Sequence, residues 1–473
     1  MSRVPVKPTL ASPPSSARFT RVPLDCRHSP ADVVRLLAEH DPLPFALTGN
    51  WSRPTRPPGG GSGSAIVGSD PLRVASDGED PFAVLDAVPP VPAAAPAGAV
   101  GGGWFGWLGY RLAARVERVP LQPHRPISLP DFHLAYYDNV LRRDENGRWW
   151  FEALVTNGRH NALDARLADV RRLLKATPPP LDHPHVSPLR LSAHDARHHL
   201  NAVACCRRRI AAGEIFQANI CLRLNGETDA RPADLFAGAL ARIDPPYAAA
   251  FDTPRGGIVS LSPELFLRRR GRGIVTGPIK GTIARDPDPA VAAAALERLR
   301  GSVKDAAEHV MIVDLMRNDL GRVCEYGTIV APRRPTAEPH PGLWHLVSHV
   351  HGRLRPGVTD ADVLRATFPP GSVTGAPKVQ SLHVIADLEP AGREVYTGAI
   401  GFASPVAGLE LNVAIRTLEL AEGRVWLGAG GGIVADSDPR AELNEALAKA
   451  RPIADAVCAS VEVEHRAPVA SAA

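Results

Sequence analysis

The chain has 473 residues, a formal net charge of +4, 44% hydrophobic residues and 22% charged residues. A chain of this length can bury a large core in more than one lobe, and so small a net charge argues against a nucleic-acid-binding surface. The N-terminus lacks the apolar run of a signal peptide, and no segment approaches the roughly 20 apolar residues of a membrane span. The six cysteines form no CxxC pair. We therefore expect a cytoplasmic protein with reduced thiols that contacts neither membranes nor nucleic acid.

The N-terminal part of the chain predicts a mixture of helices and strands. Residues 1–17 are rich in proline and serine, and we expect a disordered tail there. Residues 31–39 predict a short helix, with Ser29 as its N-cap and Pro30 at its first position. Apolar runs then predict strands at residues 45–51 and 65–67.

A β-hairpin is the strongest local signal in this part. Residues 135–142 and 149–156 are β-rich, and Asn146-Gly147 between them is a typical hairpin turn. An amphipathic helix follows at residues 163–175. The proline-rich residues 178–188 then mark a boundary, which divides the chain into regions 18–180 and 190–460, followed by a loose tail at 461–473.

The C-terminal region opens with a helix from Ser192 to about residue 212 and a strand at residues 215–224. A lysine, Lys280, then lies in a Pro-Ile-Lys-Gly-Thr sequence that we interpret as a tight turn. Only six of the 54 Lys and Arg residues are lysines, so a lysine kept here suggests a need for an ammonium group that can lose its proton when buried. The alternative is an ordinary surface lysine.

Two predicted helices each carry a pair of acids three residues apart, which places each pair on one helix face. The first helix follows Ser302 and carries Asp305 and Glu308. The second begins after Asp438 and carries Glu442 and Glu445. Paired carboxylates on two helices can hold Mg²⁺ beside an anionic ligand. Asp305 could instead cap its helix, and Glu308 could be a solvated surface charge.

Three further features are open to two interpretations each. Residues 428–436 read GAGGGIVAD, which suggests either an anion-binding nest of backbone N–H groups or a plain glycine-rich turn. Arg416, which we place on an apolar strand, needs an anionic partner that could be a ligand or a structural carboxylate. His345 could be catalytic or simply packed in the core.

Taken together, these motifs resemble the chorismate-utilising enzyme family. The resemblance covers about residues 193–455 and rests on motifs in this order: SLSPELF, GPIKGT, KDAAEHVMIVDLMRNDLGRV, HLVSHVHG, FPPGSVTGAPK, YTGAIGF, AIRTL and GAGGGIVADSDPRAELNEALAKA. It implies an α+β fold in which two large, mostly antiparallel sheets face each other with helices outside. It also implies that the two sequence regions are intertwined in space.

The resemblance implies a role for each candidate residue. Glu308 and Glu445 would bind Mg²⁺, with Asp305 and Glu442 close behind through water. The groups implied to bind the substrate are Arg416, Tyr396, Lys449 and the backbone of Gly430, Gly431 and Gly432. His345 and Thr282 would lie near the departing hydroxyl group, and Lys280 would be a nucleophile that forms a transient covalent bond to the ring.

Two positions separate members of the family. Members that add water to chorismate resemble one another in a lysine base at the position of Gln217, and glutamine cannot take a proton from water. Anthranilate synthases typically read PIAGT where this chain reads PIKGT, so Lys280 resembles the aminodeoxychorismate synthase component I branch, which serves para-aminobenzoate and folate synthesis. The alternatives are an anthranilate synthase large subunit, an aminodeoxychorismate enzyme of antibiotic biosynthesis, or a catalytically inactive subunit that only binds.

The resemblance also bears on partners and regulation. No cysteine lies in the GxCxG-type elbow of a class I glutaminase, so a separate glutaminase subunit is implied as the source of ammonia. Anthranilate synthases share an LLES-like motif at a tryptophan site, where this chain reads FALTGNW from Phe45 to Trp51. We therefore expect no feedback inhibition by tryptophan.

Overall fold

The computed structural model describes residues 16–53, 63–181, 185–286, 288–340 and 343–464. Its strands are β1 Arg18–Leu24, β2 Phe45–Gly49, β3 Ala65–Gly68, β4 Arg73–Val74, β5 Gly103–Leu108, β6 Phe132–Tyr137, β7 Asn139–Arg143, β8 Trp149–Val155, β9 Leu189–Leu191, β10 Gln217–Glu227, β11 Tyr247–Thr253, β12 Gly256–Ser262, β13 Leu265–Arg270, β14 Gly273–Gly277, β15 Ile279–Ala284, β16 Thr336–His340, β17 Leu343–Val347, β18 Val350–Arg353, β19 Gly375–Ala376, β20 Ala399–Ser404, β21 Gly408–Val413, β22 Thr417–Ala421, β23 Arg424–Ile433 and β24 Val461–Val463. Its α-helices are α1 Pro30–His40, α2 Pro81–Asp86, α3 Ala113–Val116, α4 His160–Leu173, α5 Ala193–Ala211, α6 Pro232–Leu240, α7 Pro289–Gly301, α8 Val303–Gly321, α9 Asp360–Thr367, α10 Lys378–Leu388 and α11 Pro439–Ala456.

Two large sheets dominate the molecule. The larger has the order β1-β8-β7-β3-β2-β11-β12-β22-β23-β10-β9-β24, with β19 added beside β10, and the smaller has the order β18-β14-β13-β21-β20-β5-β6-β4. The pairings are antiparallel except for β24 with β9. Both sheets contain strands of both sequence regions, in two blocks that meet where β2 pairs with β11 and where β5 pairs with β20.

The sheets face each other across an aromatic core. Phe45 on β2 stacks on Phe105 of β5 with ring centroids 4.4 Å apart, and Phe105 packs against Phe402 of β20. Separate apolar clusters lie on the outer faces, under α1, α4, α6 and α11 on the larger sheet and under α2, α8 and α9 on the smaller. The predicted α+β class, with two facing antiparallel sheets and helices outside, is therefore confirmed.

A third, small sheet was not predicted, and it carries the candidate nucleophile. Its order is β15-β17-β16. Lys280 lies on β15 rather than in the tight turn that we expected. The register between β15 and β17 shifts after Ile279, and Gly281 has a φ of +84°, so Lys280 precedes a bulge in an extended strand. Glycine suits such a bulge because it adopts positive φ without a steric penalty.

Several local predictions hold, and others need correction. Helix α1 begins at Pro30 with a capping box on Ser29, and α11 begins at Pro439 with Asp438 as N-cap. The hairpin is formed by β7 and β8 around Gly147, which has a φ of +78°. Its first strand was predicted too long, because residues 132–137 form β6 of the other sheet.

The tails differ from the prediction where the structure describes them. Ala17 is buried, and its N–H donates to the carbonyl of Pro90, so order begins before Arg18. At the other end, Val461–Val463 pairs with Leu189–Leu191 rather than hanging loose. Residues 1–15 and 465–473 lie outside the described parts of the chain. All six cysteines are free thiols, and no described helix combines the length and apolar character needed to cross a membrane.

Candidate active site

The centre of the site is Lys280, whose side chain approaches the glycine-rich strand β23. A Cβ atom built on Gly432 would lie only 3.2 Å from Lys280 Nζ. Burial lowers the pKa of the Lys280 ammonium, and the positive charge of Lys449 lowers it further. The carboxylates of Glu308, Glu264 and Glu445 act in the opposite direction. A lysine in this setting is easier to deprotonate than one in water, which is what a nucleophilic amine requires.

The glycines of residues 428–432 form a strand, so the interpretation as an anion-binding nest is wrong. Gly430 pairs with Cys221 of β10, and Gly432 pairs with Asn219. The N–H groups of Cys221 and Asn219 point away from β23, to Glu389 and Thr374.

The Gly430–Cys221 and Gly432–Asn219 pairs are therefore non-hydrogen-bonded pairs of the antiparallel ladder. The N–H groups of Gly430 and Gly432 consequently point to the edge of β23 that faces away from β10. Among the described residues, no strand pairs with residues 428–432 on that edge. The N–H groups of the strand edge can thus serve an anion where a nest was expected.

Small side chains on this strand leave room for the residues around it. A Cβ on Gly432 would lie 2.7 Å from Gln217 Nε2, and one on Gly431 would lie 3.0 Å from Glu442 Oε2. Gln217 itself is 0% exposed, yet neither its amide nitrogen nor its amide oxygen has a hydrogen-bond partner among the described residues. Buried amides normally make hydrogen bonds, so Gln217 is a candidate for ligand binding.

The predicted metal ligands come from two helices that approach the same lysine. Glu308 on α8 and Glu445 on α11 both act electrostatically on Lys280. Glu445 also pairs with Lys449 one helical turn later, at 2.8 Å, and Lys449 Nζ donates to the carbonyl of Gly430 at 3.0 Å. Helix α11 thus places the carboxylate of Glu445 and the ammonium group of Lys449 beside β23.

The three acids whose side chains are described, Glu308, Glu442 and Glu445, do not form a compact group of three ligands. The group of three potential ligands that lies within 4.8 Å in the described residues is instead His124, Asp131 and Glu394, which belongs to neither acidic helix. The backbones of Asp305 on α8 and Thr282 on β15 are placed, with Thr282 opposite His345 in the ladder. The side chains of Asp305 and Thr282 lie outside what the structure describes.

A buried acid that the sequence analysis did not single out, Glu264, also interacts electrostatically with Lys280. Glu264 is 4% exposed, and burial raises its pKa from 4.5 to about 7. The hydrogen bond with Ser372 and the charges of Lys280 and Arg416 oppose that rise. The SLSPELF motif that contains Glu264 served only to indicate the family resemblance. The signal that could have identified this residue is an acid directly before the apolar residues that begin β13.

Two histidines support the small sheet. His345 on β17 is buried. His309 on α8 was missed: its Nε2 lies 2.7 Å from Ser348 Oγ, and the main chain of Lys280 faces the same ring. Burial lowers the pKa of His309. Helix α8 therefore contributes Glu308 to the site and, one residue later, a contact to the strand of the nucleophile.

The two predicted substrate-gripping residues lie on connected segments. Arg416 is not on a strand as expected; it lies between β21 and β22 with a φ of +52°, and the negative charge that acts on it is that of Glu264. Tyr396 is buried, with its hydroxyl 3.7 Å from Cys221 Sγ and its ring against Gly428. The two segments are joined because the N–H of Thr397 donates to the carbonyl of Ala414 at 2.8 Å.

A cavity of about 90 Å³ lies beside Tyr396 and Gly428 and is also lined by Arg125, Arg223 and Trp426. Lys280 does not line it. The cavity therefore adjoins Tyr396, one of the predicted carboxylate-binding residues, rather than the candidate nucleophile Lys280.

A family model for chorismate binding enzymes matches residues 63–455. The chain belongs to the chorismate binding enzyme family. It is 37% identical to "Anthranilate synthase component 1" of Streptomyces coelicolor over 84% of this chain and 81% of that protein. It is 36% identical to "Aminodeoxychorismate synthase component 1" of Klebsiella aerogenes over 73% of this chain and 74% of that protein.

The fold comparison agrees with the sequence comparison. The crystal structure of anthranilate synthase component I from Streptococcus pneumoniae superposes with a TM-score of 0.69 at 26% identity, covering 95% of this chain and 94% of that one. The protein is therefore a chorismate-utilising enzyme with the α+β fold that its motifs implied. Relatives with two different amination products lie at similar identity, so the product has to be argued from the site.

Viewed as a chorismate binding enzyme, the site matches its ligand in charge. Chorismate carries two carboxylates. The amines of Lys280 and Lys449 lie beside Gly432 and Gly430 at the open edge of β23, and the guanidinium of Arg416 lies within the electrostatic reach of Glu264. Arginine can grip a carboxylate with two parallel hydrogen bonds.

Proposed function

We propose that this protein is an aminodeoxychorismate synthase component I, which converts chorismate and ammonia to 4-amino-4-deoxychorismate. The observation that carries the proposal is the position of Lys280, whose amine lies against Gly432 and beside Gln217 and whose pKa is lowered. An alanine at this position would leave no nucleophile. The enolpyruvyl group stays on the ring in the proposed product.

The substrate would be bound by its two carboxylates. The N–H groups of Gly430 and Gly432, with Lys449 nearby, would hold the ring carboxylate. Arg416 and Tyr396 would hold the enolpyruvyl carboxylate. The burial of Tyr396 and the half-buried position of Arg416 support this assignment, because a desolvated cation is better satisfied by an anion than by water.

A Mg²⁺ site is consistent with the donors present. Magnesium prefers carboxylate oxygens and usually keeps several waters, so two protein carboxylates suffice where a substrate carboxylate completes the set. Glu308 and Glu445 would hold the ion, with Asp305 and Glu442 behind them through water. When bound, Mg²⁺ would neutralise the ring carboxylate and polarise the ring for loss of hydroxide.

The chemistry begins with the neutral amine of Lys280. Its nitrogen forms a bond to the ring carbon next to the carboxylate-bearing carbon, the adjacent double bond shifts, and the carbon–oxygen bond of the ring hydroxyl breaks. The hydroxyl needs a proton to leave as water. We assign that proton to Glu264, because a carboxyl group with a pKa of about 7 is about half protonated at neutral pH, whereas an ordinary glutamate is almost fully ionised there. His345 and Thr282 would contact the departing group.

Ammonia completes the reaction. It forms a bond to the carbon that lost the hydroxyl group, the double bond returns, and the Lys280 nitrogen leaves as a neutral amine. The new ammonium group gives up one proton, which restores the carboxyl group of Glu264. The buried amide of Gln217 is well suited to hold ammonia, because its oxygen can accept a hydrogen bond and has no partner among the described residues. Glutamine at this position also disfavours attack by water, since it is no base.

The test is product identification. The protein is incubated with chorismate, Mg²⁺ and ammonium, with and without a lyase that removes the enolpyruvyl group. We expect a product that becomes para-aminobenzoate only when the lyase is added. Fluorescent anthranilate formed without a lyase would reject the proposal in favour of the second candidate.

That second candidate is an anthranilate synthase large subunit, and the 37% identity to the Streptomyces coelicolor protein favours it. The two candidates share every residue of the site apart from the role of Lys280. A third possibility, a catalytically inactive subunit that only binds, would be favoured if chorismate with Mg²⁺ failed to raise the melting temperature.

We further propose a cytoplasmic enzyme that receives ammonia from a separate glutaminase subunit. The relatives named component 1 support a two-component system, and the six free cysteines are consistent with a reducing compartment. Folate synthesis is the proposed pathway, with antibiotic biosynthesis as the alternative.

A further inference from the structure

Arg393 is a buried arginine that the proposed reaction does not use. It is 5% exposed, and its Nε and Nη2 donate to the two carboxylate oxygens of Glu389 at 2.8 and 2.7 Å. The other N–H groups donate to the carbonyls of Val373 and Asn219 at 2.8 and 2.6 Å, and to Thr397 Oγ1 at 3.4 Å. All five N–H donors of the guanidinium are therefore engaged, a pattern that a lysine with three donors does not reproduce.

The segment that follows Arg393 carries Tyr396 between two residues with strained backbone. Glu394 has a φ of +55° and Thr397 a φ of +66°, in the left-handed region that residues with side chains rarely adopt. Such backbone persists only where the surrounding contacts hold it. Thr397 Oγ1 accepts from Arg393 and donates to the carbonyl of Tyr396 at 2.6 Å, and the N–H of Tyr396 donates to Glu419 at 2.7 Å. Arg393 is thus one of the groups that hold the Tyr396 segment in place.

The ion pair of Arg393 and Glu389 also holds β10. The carbonyl of Asn219 accepts from Arg393, and the N–H of Cys221 donates to Glu389 at 2.8 Å. The short strand β19 pairs with the first two residues of β10, so the ion pair continues along the same edge where β19 ends. The other edge of β10 pairs with the glycine-rich strand β23. The ion pair therefore connects the Tyr396 segment to the strand that positions β23.

We propose that Arg393 is a positioning residue for chorismate binding. It fixes the Tyr396 segment relative to β10, and so sets the spacing between the groups that hold the enolpyruvyl carboxylate and the edge of β23 that holds the ring carboxylate. This inference rests on the proposed function, which assigns the two carboxylates to these two ends. Arg393 itself does not touch the substrate. Loss of its hydrogen bonds weakens the binding of ground state and transition state alike, which raises KM more than it lowers kcat.

The first test compares two buried arginines. Arg393→Lys is assayed with Mg²⁺ and saturating ammonium by the rate of chorismate consumption. The matched control is Arg35→Lys on α1, because Arg35 is 3% exposed and donates to Asp234 at 2.8 Å on the outer face of the larger sheet. We expect Arg393→Lys to raise KM for chorismate about tenfold or more and to change kcat less than about threefold. Arg35→Lys should leave KM within about twofold of the wild type even where its melting temperature falls.

The second test asks whether Arg393 acts through Tyr396. Tyr396→Phe removes the hydroxyl group and should raise KM by itself. In the Arg393→Lys background the same substitution should change KM less than about twofold, because a displaced tyrosine has no contact left to lose. Independent effects, in which the two increases in KM multiply, would overturn the proposed role.

The remaining results also decide the question. An unchanged KM in Arg393→Lys, or equal increases in Arg393→Lys and Arg35→Lys, would overturn the proposal. If Arg393→Lys does not fold, Glu389→Gln takes its place, since glutamine still accepts from Cys221 but loses the charge that orients Arg393. Its KM should rise about threefold or more, with the same dependence on Tyr396, and an unchanged KM would again overturn the proposal. Anthranilate as the product of the wild type would instead reject the proposed function, while KM for chorismate would still decide the role of Arg393.

Discussion

Replacing Glu264 with glutamine tests whether a buried acid in the site holds a proton near neutral pH. Glu264 is 4% exposed, and burial raises its pKa from 4.5 to about 7 despite the nearby charges of Lys280 and Arg416. Glutamine keeps nearly the same size and can still bond to Ser372, but it neither gains nor loses a proton. The substitution therefore removes one titration, together with the negative charge that acts on Lys280 and Arg416.

The sign and size of the effect follow from linkage. The folded protein binds this proton more tightly than the unfolded chain. The contribution of Glu264 to the free energy of unfolding is therefore largest below pH 4.5, falls as the pH rises, and levels off above about pH 7. A shift from 4.5 to about 7 corresponds to about 3 kcal/mol. The wild type should lose about that much relative to Glu264→Gln across this interval.

The assay is urea unfolding of both proteins without substrate or metal at several pH values between 4.5 and 8. The difference between the two free energies of unfolding cancels the titrations that both proteins share. Glu422→Gln, on the exposed turn between β22 and β23, is the control and should follow the wild type. Parallel pH profiles for wild type and Glu264→Gln would refute a proton held by Glu264, and with it the proposed acid.

Four further predictions concern the nucleophile, the metal, the glycine strand and regulation. Lys280→Ala should lower aminodeoxychorismate formation at least about a hundredfold with an unchanged circular dichroism spectrum; unchanged product would remove the covalent step. Glu445→Gln should raise the Mg²⁺ concentration for half-maximal rate about tenfold or more, and an unaltered titration would argue against the metal assignment. Gly432→Ala should reduce the rate but barely change the melting temperature, because its Cβ meets only the ends of the Gln217 and Lys280 side chains. In Gly375→Ala the Cβ would lie 2.2 Å from the backbone carbonyl oxygen of Gln217, so this variant should lose stability. Equal falls in melting temperature for the two variants would contradict this prediction. Tryptophan should not inhibit the enzyme. The side chain of Trp51, in the segment that corresponds to the tryptophan site of anthranilate synthases, is itself buried between the sheets and donates to the Ala248 carbonyl. Inhibition in a tryptophan titration would show this expectation to be wrong.

Local rules predicted the acidic helices well. The cap at Asp438, the proline after it and the three-residue spacing of Glu442 and Glu445 depend on residues within one helix, and α11 follows them. The same holds for the Ser29 cap of α1. These features are readable from sequence because the hydrogen bonds that create them span only a few residues.

Long-range pairing explains what the sequence analysis got wrong. Residues 428–432 look like a flexible loop in isolation, and they become a strand because β10, about two hundred residues earlier, pairs with them. Lys280 is likewise drawn into a strand by β17. The burial of Glu264 and the contact of His309 with the Lys280 strand depend on tertiary packing, which single-sequence patterns do not encode.

The proposed reaction requires a covalent bond between Lys280 and the substrate. The direct measurement is peptide mapping by mass spectrometry after incubation with chorismate and Mg²⁺ in the absence of ammonia. We predict a mass gain on the peptide containing Lys280 equal to one chorismate less one water, which disappears when ammonium is added. An unmodified Lys280 peptide from an enzyme that still forms aminodeoxychorismate would contradict the account.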